Sequence, residues 1–232
     1  MKKYRLKKYA EILGRSIPNI LNTKEGINLF KYQKDGKIDY ENYKKTQTEG
    51  NVAKIDEVFE IEENVKMLSD FLKKNLANIE FGICHGTRRG KEQEWFRKYL
   101  GVNVIGTEIS ETATKFPNTI QWDFHEIKDE WIKKVDFIYS NSLDHSYDPG
   151  FCLQQWFRCL KKGGYCIING SSANNPKFVN KLDLFGFTKE GITNMIKDLE
   201  EKNEIKLKII LDGKPNPKKH VKKWYYCIIE KM

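Results

Sequence analysis

The 232-residue chain has no long hydrophobic run and no clustered cysteines. No window approaches the roughly 18 unbroken apolar residues of a membrane-spanning helix, so a membrane protein is not expected. The five cysteines are an odd number without CxxC spacing, which argues against a zinc knuckle and against the paired bridges of a small secreted domain. The basic first residues also lack the apolar stretch of a signal peptide. We therefore expect reduced thiols and a cytoplasmic location.

Charge is abundant, since 41 lysines and arginines accompany 32 acids and give a net charge of +9 and a mean hydropathy of −0.66. The excess lies at the two ends: residues 1–60 carry 13 basic against 9 acidic residues, and residues 211–232 carry 6 against 2. The stretch between them is almost neutral, with 22 against 21. Basic ends suit a small anionic substrate at least as well as a nucleic acid.

Residues 1–60 are rich in lysine, tyrosine and asparagine and show weak periodicity. They predict a helix over about 3–14, followed by an irregular polar region to about residue 50. Apolar residues at helical spacing then indicate an amphipathic helix near 61–72. We expect residues 1–60 to form an extension, either a lid or a dimer contact, and residues 61–232 to form the main domain.

From Ile79 onward, short apolar runs alternate with helical patterns. Strands alternating with helices indicate βαβ units and a parallel sheet covered on both faces. The last two strand patterns have no helix between them, so they should pair antiparallel. The predicted fold is a doubly wound, Rossmann-like α/β domain with five parallel strands and an antiparallel C-terminal hairpin. The predicted strands cover 79–84, 102–108, 119–124, 135–141, 165–170, 205–211 and 223–230, and the predicted helices lie near 88–100, 127–133, 151–161 and 186–203.

The first predicted strand ends in a glycine-containing turn, from Glu80 to Gly86, that leads into a helix. Glycine lets the backbone turn tightly and approach a ligand, and a helix N-terminus offers unpaired N–H groups, although a purely structural turn is the alternative. The second strand ends at Glu108, where an acid can accept hydrogen bonds from a ribose diol, and the third ends at Asp123. Glu80, Glu108 and Asp123 are thus predicted to form one acidic rim at the carboxyl edge of the sheet.

From Ile79 to about Gly170 the chain resembles a class I S-adenosylmethionine-dependent methyltransferase, of the small-molecule type found in surface-polysaccharide biosynthesis. The first motif of that family is acidic-x-Gly-x-Gly-x-Gly, and EFGICHG is similar to it, with Cys84 in place of the middle glycine. The resemblance implies S-adenosylmethionine as the cofactor. The terminal hairpin fits the family's seven-stranded sheet.

The same resemblance implies cofactor contacts at the strand ends. Glu108 would hold the ribose hydroxyls, while Ile109 and Asp123 would meet adenine. Asn141 and Ser142 would close the fourth strand beside the transferred methyl group. The full set of expected cofactor residues is Glu80, Gly82, Cys84, Gly86, Glu108, Ile109, Asp123, Phe124, Asn141 and Ser142.

Methyl transfer from a sulfonium to a hydroxyl requires alignment of the reactants and removal of a proton. His145 follows the fourth strand, where a neutral imidazole either acts as general base or only orients its neighbours. Arg88 and Arg89 lie after the glycine turn, in a first helical turn where the dipole disfavours cations. They are candidates for binding the cofactor's carboxylate or an anionic substrate, with solvent-exposed side chains as the alternative. No spacing of acids and histidines indicates a metal.

We therefore expect an enzyme that methylates an oxygen of a small polar acceptor, such as a sugar or a sugar phosphate. One alternative is an RNA or other nucleic-acid methyltransferase that uses the basic ends as a footprint. The Asn/Asp-Pro-Pro-aromatic segment of amino-directed base methyltransferases is replaced here by Ser140-Asn141-Ser142-Leu143. The other alternative is a cofactor-binding module without catalysis, which Cys84 in the glycine motif would fit. A homodimer is compatible with either reading.

Overall fold

The computed structural model describes residues 20–219 and 221–232. The predicted helix over 3–14 lies outside the described residues. The first described elements are the strands β1 (Ile20–Lys24), β2 (Ile27–Phe30), β3 (Gln33–Lys34) and β4 (Lys37–Ile38), followed by the helix α1 (Tyr40–Ala53). The expectation of an irregular region to residue 50 was therefore wrong.

Apolar periodicity does not predict helix α1, because the buried face of this helix is largely polar. Its buried residues include Thr46, Gln47 and Asn51, which no search for apolar periodicity would select. The side chain of Asp39 accepts a hydrogen bond from the backbone N–H of Asn42 and so caps the helix. Its stability thus depends on tertiary hydrogen bonds and on the cap more than on an apolar stripe.

The main domain contains the predicted seven-stranded sheet. Its strands are β5 (Phe81–His85), β6 (Asn103–Glu108), β7 (Thr119–Gln121), β8 (Val135–Ser140), β9 (Leu160–Ser171), β11 (Ile205–Asp212) and β12 (Trp224–Lys231). The short strand β10 (Phe185–Phe187) lies outside this sheet. The order is β11-β12-β9-β8-β5-β6-β7. The pairs among β5 to β9 are parallel, and β12 pairs antiparallel with both β9 and β11, which confirms the predicted fold class.

Helices cover both faces of this sheet. They are α2 (Glu62–Asn75), α3 (Lys91–Leu100), α4 (Pro149–Cys159) and α5 (Lys189–Asn203). On one face, Leu68 of α2 and Phe96 of α3 share a core cluster, and on the other Trp156 of α4 packs with Ile192 of α5. The helix predicted near 127–133 is only a short 3-10 turn at Asp129–Trp131. None of the helices among the described residues is long and apolar enough to cross a membrane.

A second, small sheet ties the N-terminal region to the main domain. Strand β2 pairs antiparallel with β10, with Leu29 opposite Phe185, and β1 pairs with the other side of β2. The segment that precedes β10 therefore lies next to the N-terminal strands. The division of the chain at residue 60 stays a prediction.

Candidate functional site

Two adjoining cavities lie at the carboxyl edge of the sheet, where β5, β6 and β8 end. Cavity A, of about 50 Å³, is lined on the sheet side by Gly86, Glu108, Ile109, Asp123, Phe124 and Ser142. Cavity B, of about 220 Å³, includes Arg88, Arg89, Glu92, Asn141, Asp144 and Asp183 in its lining. Both cavities share residues at Gly86, Ser142 and His145, so they form one connected candidate site.

The turn after β5 requires glycine at position 86. Gly86 has a φ of +72°, and a Cβ there would lie 2.5 Å from the Cβ of Ser142. The Ser142 hydroxyl donates to the Gly86 carbonyl at 2.9 Å. The close approach of these two backbone segments brings the ends of β5 and β8 to the border between the cavities.

Glu108 is held at the end of β6 by two backbone donors. Its Oε2 accepts from the N–H of Arg88 at 3.0 Å, and its Oε1 accepts from the N–H of Ser110 at 3.1 Å. Burial raises the pKa of this carboxyl, against the effect of those hydrogen bonds and of the Arg88 charge. Because each carboxylate oxygen has a further lone pair, Glu108 can still accept hydrogen bonds from a ligand in cavity A.

Asp123 is oriented by a chain of buried side chains. Its Oδ1 accepts from the backbone N–H of His125 at 2.9 Å and lies 2.7 Å from His125 Nδ1, and His125 Nε2 lies 2.7 Å from Ser146 Oγ. Its Oδ2 accepts from the Tyr40 hydroxyl at 2.9 Å. Burial alone would raise the pKa of Asp123, but the hydrogen bonds from His125 and Tyr40 hold it below its usual value.

Helix α1 covers cavity A. The helix residues at positions 43, 47, 50 and 51 line that cavity, together with the residue at position 54 just after the helix. This roof was not predicted from the sequence, although Tyr43, Gln47, Asn51 and Lys54 recur at helical spacing on one face. Polar residues at that spacing were the available signal.

His145 is fixed in one tautomer by the backbone. Its Nδ1 lies 2.6 Å from the carbonyl oxygen of Leu182. Since a carbonyl oxygen only accepts, Nδ1 carries the proton and Nε2 of the neutral ring has a free lone pair. The same carbonyl accepts from the Gln47 side chain at 3.1 Å, so it also contacts the roof helix.

Two carboxylates accompany His145. Asp144, His145 and Asp183 each place one potential metal ligand atom within 4.8 Å of the others. Asp144 Oδ1 is buried without a hydrogen-bond partner among the described residues. Burial lowers the pKa of nearby Lys54, while the carboxylates of Asp183 and Asp144 favour its charged form.

Three of the predicted cofactor residues lie away from both cavities. Glu80 precedes β5 at the amino end of the strand, where its exposed side chain pairs with Lys161 at 3.0 Å. Gly82 packs against the Phe137 ring, and Cys84 is buried in the core cluster beneath α2 and α3. Because the strand continues to His85, the chain reaches the sheet edge only at Gly86, and a cofactor contact at these three residues stays a prediction.

Arg88 and Arg89 both line cavity B. Their side chains donate hydrogen bonds to the loop between α1 and α2. Arg88 Nη1 donates to the carbonyl of Glu57 at 3.2 Å, and Arg89 Nη1 donates to the carbonyl of Asp56 at 3.3 Å. The Nε atom of each is buried without a partner among the described residues. Their predicted role in binding an anion stays a prediction.

Residues 83–168 match a family model described as a methyltransferase domain. No curated protein matches the chain. Among solved structures, the 1,6-didemethyltoxoflavin-N1-methyltransferase of Burkholderia thailandensis, with bound 1,6-didemethyltoxoflavin and S-adenosylhomocysteine, is similar with a TM-score of 0.60 and 13% identity. That likeness covers 92% of this chain and 99% of the other.

Two further solved structures share the fold. The SAM-dependent methyltransferase of Archaeoglobus fulgidus has a TM-score of 0.54 and 15% identity, over 74% of this chain and 95% of that chain. The one from Aquifex aeolicus has a TM-score of 0.52 and 14% identity, over 75% and 100%. At these identities the structural likeness concerns the fold.

Proposed function

We propose that this chain, a class I S-adenosylmethionine-dependent methyltransferase, methylates an oxygen of a small polar acceptor such as a sugar or a sugar phosphate. The domain match and the fold confirm the family, the enzyme class and the cofactor that the sequence predicted. The acceptor and the roles of individual residues are the proposal.

The residues of cavity A fit the adenosine part of the cofactor. Glu108 offers lone pairs to the ribose hydroxyls, and Asp123 Oδ2 is an acceptor for an adenine amino group. Ile109 and Phe124 supply apolar contact for a flat ring. Gly86 and Ser142 lie where the two cavities meet and would flank the sulfur. Asn141 lines cavity B close by. When bound, the cofactor supplies an electrophilic methyl group on its sulfonium.

His145 is proposed as the general base, and its hydrogen bond to Leu182 is the observation that carries the proposal. The bond keeps the proton on Nδ1, so Nε2 can accept the proton of an acceptor hydroxyl as the oxygen takes the methyl group. The proton then leaves from Nε2 to solvent. An acceptor oxygen beside Ser142 would lie in cavity B, next to the carboxylates of Asp144 and Asp183.

Helix α1 is proposed as a lid over the cofactor. Cavity A has room for only a few water molecules while the helix lies on it. An adenosine would therefore fit cavity A only after α1, or the side chains that it places there, had moved. This supports the lid role of residues 1–60, with the hydrogen bond between Tyr40 and Asp123 as a contact that adenine would displace.

The experiment is an acceptor panel. The purified chain would be incubated with S-adenosylmethionine and sugars, sugar phosphates, nucleotide sugars, small amines or RNA, and S-adenosylhomocysteine would be measured. We expect release with a hydroxyl acceptor of low molecular mass. Release of S-adenosylhomocysteine only with amines, or only with RNA, would assign the protein to that acceptor class instead. If calorimetry shows no binding of S-adenosylhomocysteine, the assignment as an S-adenosylmethionine-dependent enzyme is wrong.

A further inference from the structure

Glu92, in the first turn of α3, is a buried acid that faces cavity B. The residue is 5% exposed and lines the cavity. Its Oε1 accepts from the Asn141 side chain at 3.1 Å. No ion pair joins Glu92 to any lysine, arginine or histidine in the part of the chain that the structure describes.

An unpaired buried carboxylate is costly, and its protonation reflects this. Burial raises the pKa of Glu92 to about 7, and the nearby acid Glu60 raises it further, against the hydrogen bond from Asn141 and the charge of Arg88. The neutral groups Cys84 of β5 and Tyr139 of β8 complete the titratable surroundings. A cation placed in cavity B would favour the ionised carboxylate.

The rest of the cavity B lining carries both signs of charge, with Glu57, Asp144 and Asp183 as its other acids. Arg88, Arg89 and Lys219 line it, and each arginine has a buried Nε without a partner among the described residues. A cavity with a buried carboxylate and several cations complements a group that carries both an ammonium and a carboxylate. The amino-acid end of S-adenosylmethionine is such a group, and cavity B adjoins cavity A at Gly86 and Ser142.

We propose that Glu92, held by Asn141, binds the α-ammonium group of the cofactor in cavity B, with the carboxylate of the same end directed to Arg88 and Arg89. This assignment rests on the proposed function, which places the adenosine end in cavity A. Asn141, expected from the sequence as a direct cofactor contact, would then act as a positioning residue for Glu92.

The test compares two ligands that differ only at the amino-acid end. Calorimetry would measure the Kd of S-adenosylhomocysteine and of 5′-methylthioadenosine, which lacks that end, for the wild type, Glu92→Gln and Glu94→Gln. Glu94 is an exposed acid in the same helical turn and serves as the matched control. We expect Glu92→Gln to weaken S-adenosylhomocysteine binding about 10- to 100-fold, with 5′-methylthioadenosine within about twofold. Glu94→Gln should change neither.

A second measurement on the wild type does not depend on the variant's folding. Because the free carboxyl is partly protonated near neutral pH, S-adenosylhomocysteine should release a proton on binding, and its affinity should fall by up to about tenfold from about pH 8 to about pH 6. Calorimetry in buffers of different ionisation enthalpy counts that proton, and 5′-methylthioadenosine should release none. Equal proton release by both ligands, or equal weakening of both by Glu92→Gln, would overturn the assignment. If neither ligand binds the wild type, the proposed function falls first.

Discussion

Glu60 and Glu92 are both buried glutamates, and they differ in the groups around them. Glu60 accepts four hydrogen bonds, from the Ile61 N–H at 2.8 Å, from Asn64 at 2.9 Å, and from the hydroxyls of Tyr139 and Tyr226 at 2.6 Å each. Glu92 accepts one side-chain hydrogen bond and faces a cavity. Both carboxyls have a raised pKa, with burial as the main cause.

The contrast separates acids that belong to the core from groups that remain open to a ligand. A saturated carboxylate has no lone pair left for a ligand, so its removal should affect stability. An acid or imidazole with open lone pairs at a cavity should affect binding or turnover instead. His145, Glu108 and Glu92 belong to the second class.

The largest effect is expected at His145, which has one bonded and one open nitrogen. His145→Gln should lower turnover about 100- to 10,000-fold, because no group would accept the hydroxyl proton. The rate would be measured with an acceptor from the panel, and the Kd of S-adenosylhomocysteine should stay the same. Unchanged turnover would remove His145 as the base.

Glu60→Ala is expected to destabilise the fold by about 3–5 kcal/mol, because it leaves two buried tyrosine hydroxyls and an asparagine without their acceptor. Urea unfolding would measure this. Glu63→Ala, which removes an exposed acid in the first turn of the following helix α2, is the control and should change stability by less than about 0.5 kcal/mol. If Glu60→Ala lowers the free energy of unfolding no more than Glu63→Ala does, Glu60 is not the structural acid that the comparison with Glu92 assumes.

Glu108→Ala should weaken the binding of S-adenosylhomocysteine at least about 100-fold, since two hydrogen bonds from ribose hydroxyls to a carboxylate would be lost. Calorimetry measures the change, with Glu111→Ala, an exposed acid in the next turn, as the control. Retained affinity would contradict a ribose contact at Glu108 and place this acid with the structural ones.

The smallest effect is expected at Tyr40, whose hydroxyl occupies Asp123 Oδ2. If an adenine amino group must displace it, Tyr40→Phe should tighten S-adenosylhomocysteine binding about two- to tenfold. Tyr147→Phe, a tyrosine that stacks on His125, is the matched control for a change in the same aromatic cluster. Weaker binding in Tyr40→Phe would mean that the hydroxyl stays in place when the cofactor binds.

The sheet and part of its edge could be predicted from the sequence because each depends on short-range patterns. Apolar runs located β5 and β8, and Glu108 was expected at the sheet edge because it ends its strand. Glu80 was expected at the same edge but lies at the amino end of β5, because the pattern does not reveal at which residue a strand ends. The helix α1 could not be predicted from apolar periodicity because polar residues such as Gln47 fill its buried face. The proximity of Asp183 to His145 could not be predicted either, because Asp183 lies in a loop that is distant in the sequence.

The carbonyl of Leu182 has a kinetic consequence. One oxygen accepts hydrogen bonds from Gln47 of the roof helix and from His145, so a movement of α1 disturbs the atom that keeps the imidazole in its reactive tautomer. In the proposed lid role, α1 moves when the cofactor enters, and the closed arrangement restores both bonds. We therefore expect an ordered two-substrate reaction in which the methyl donor is the leading substrate and its demethylated product leaves last.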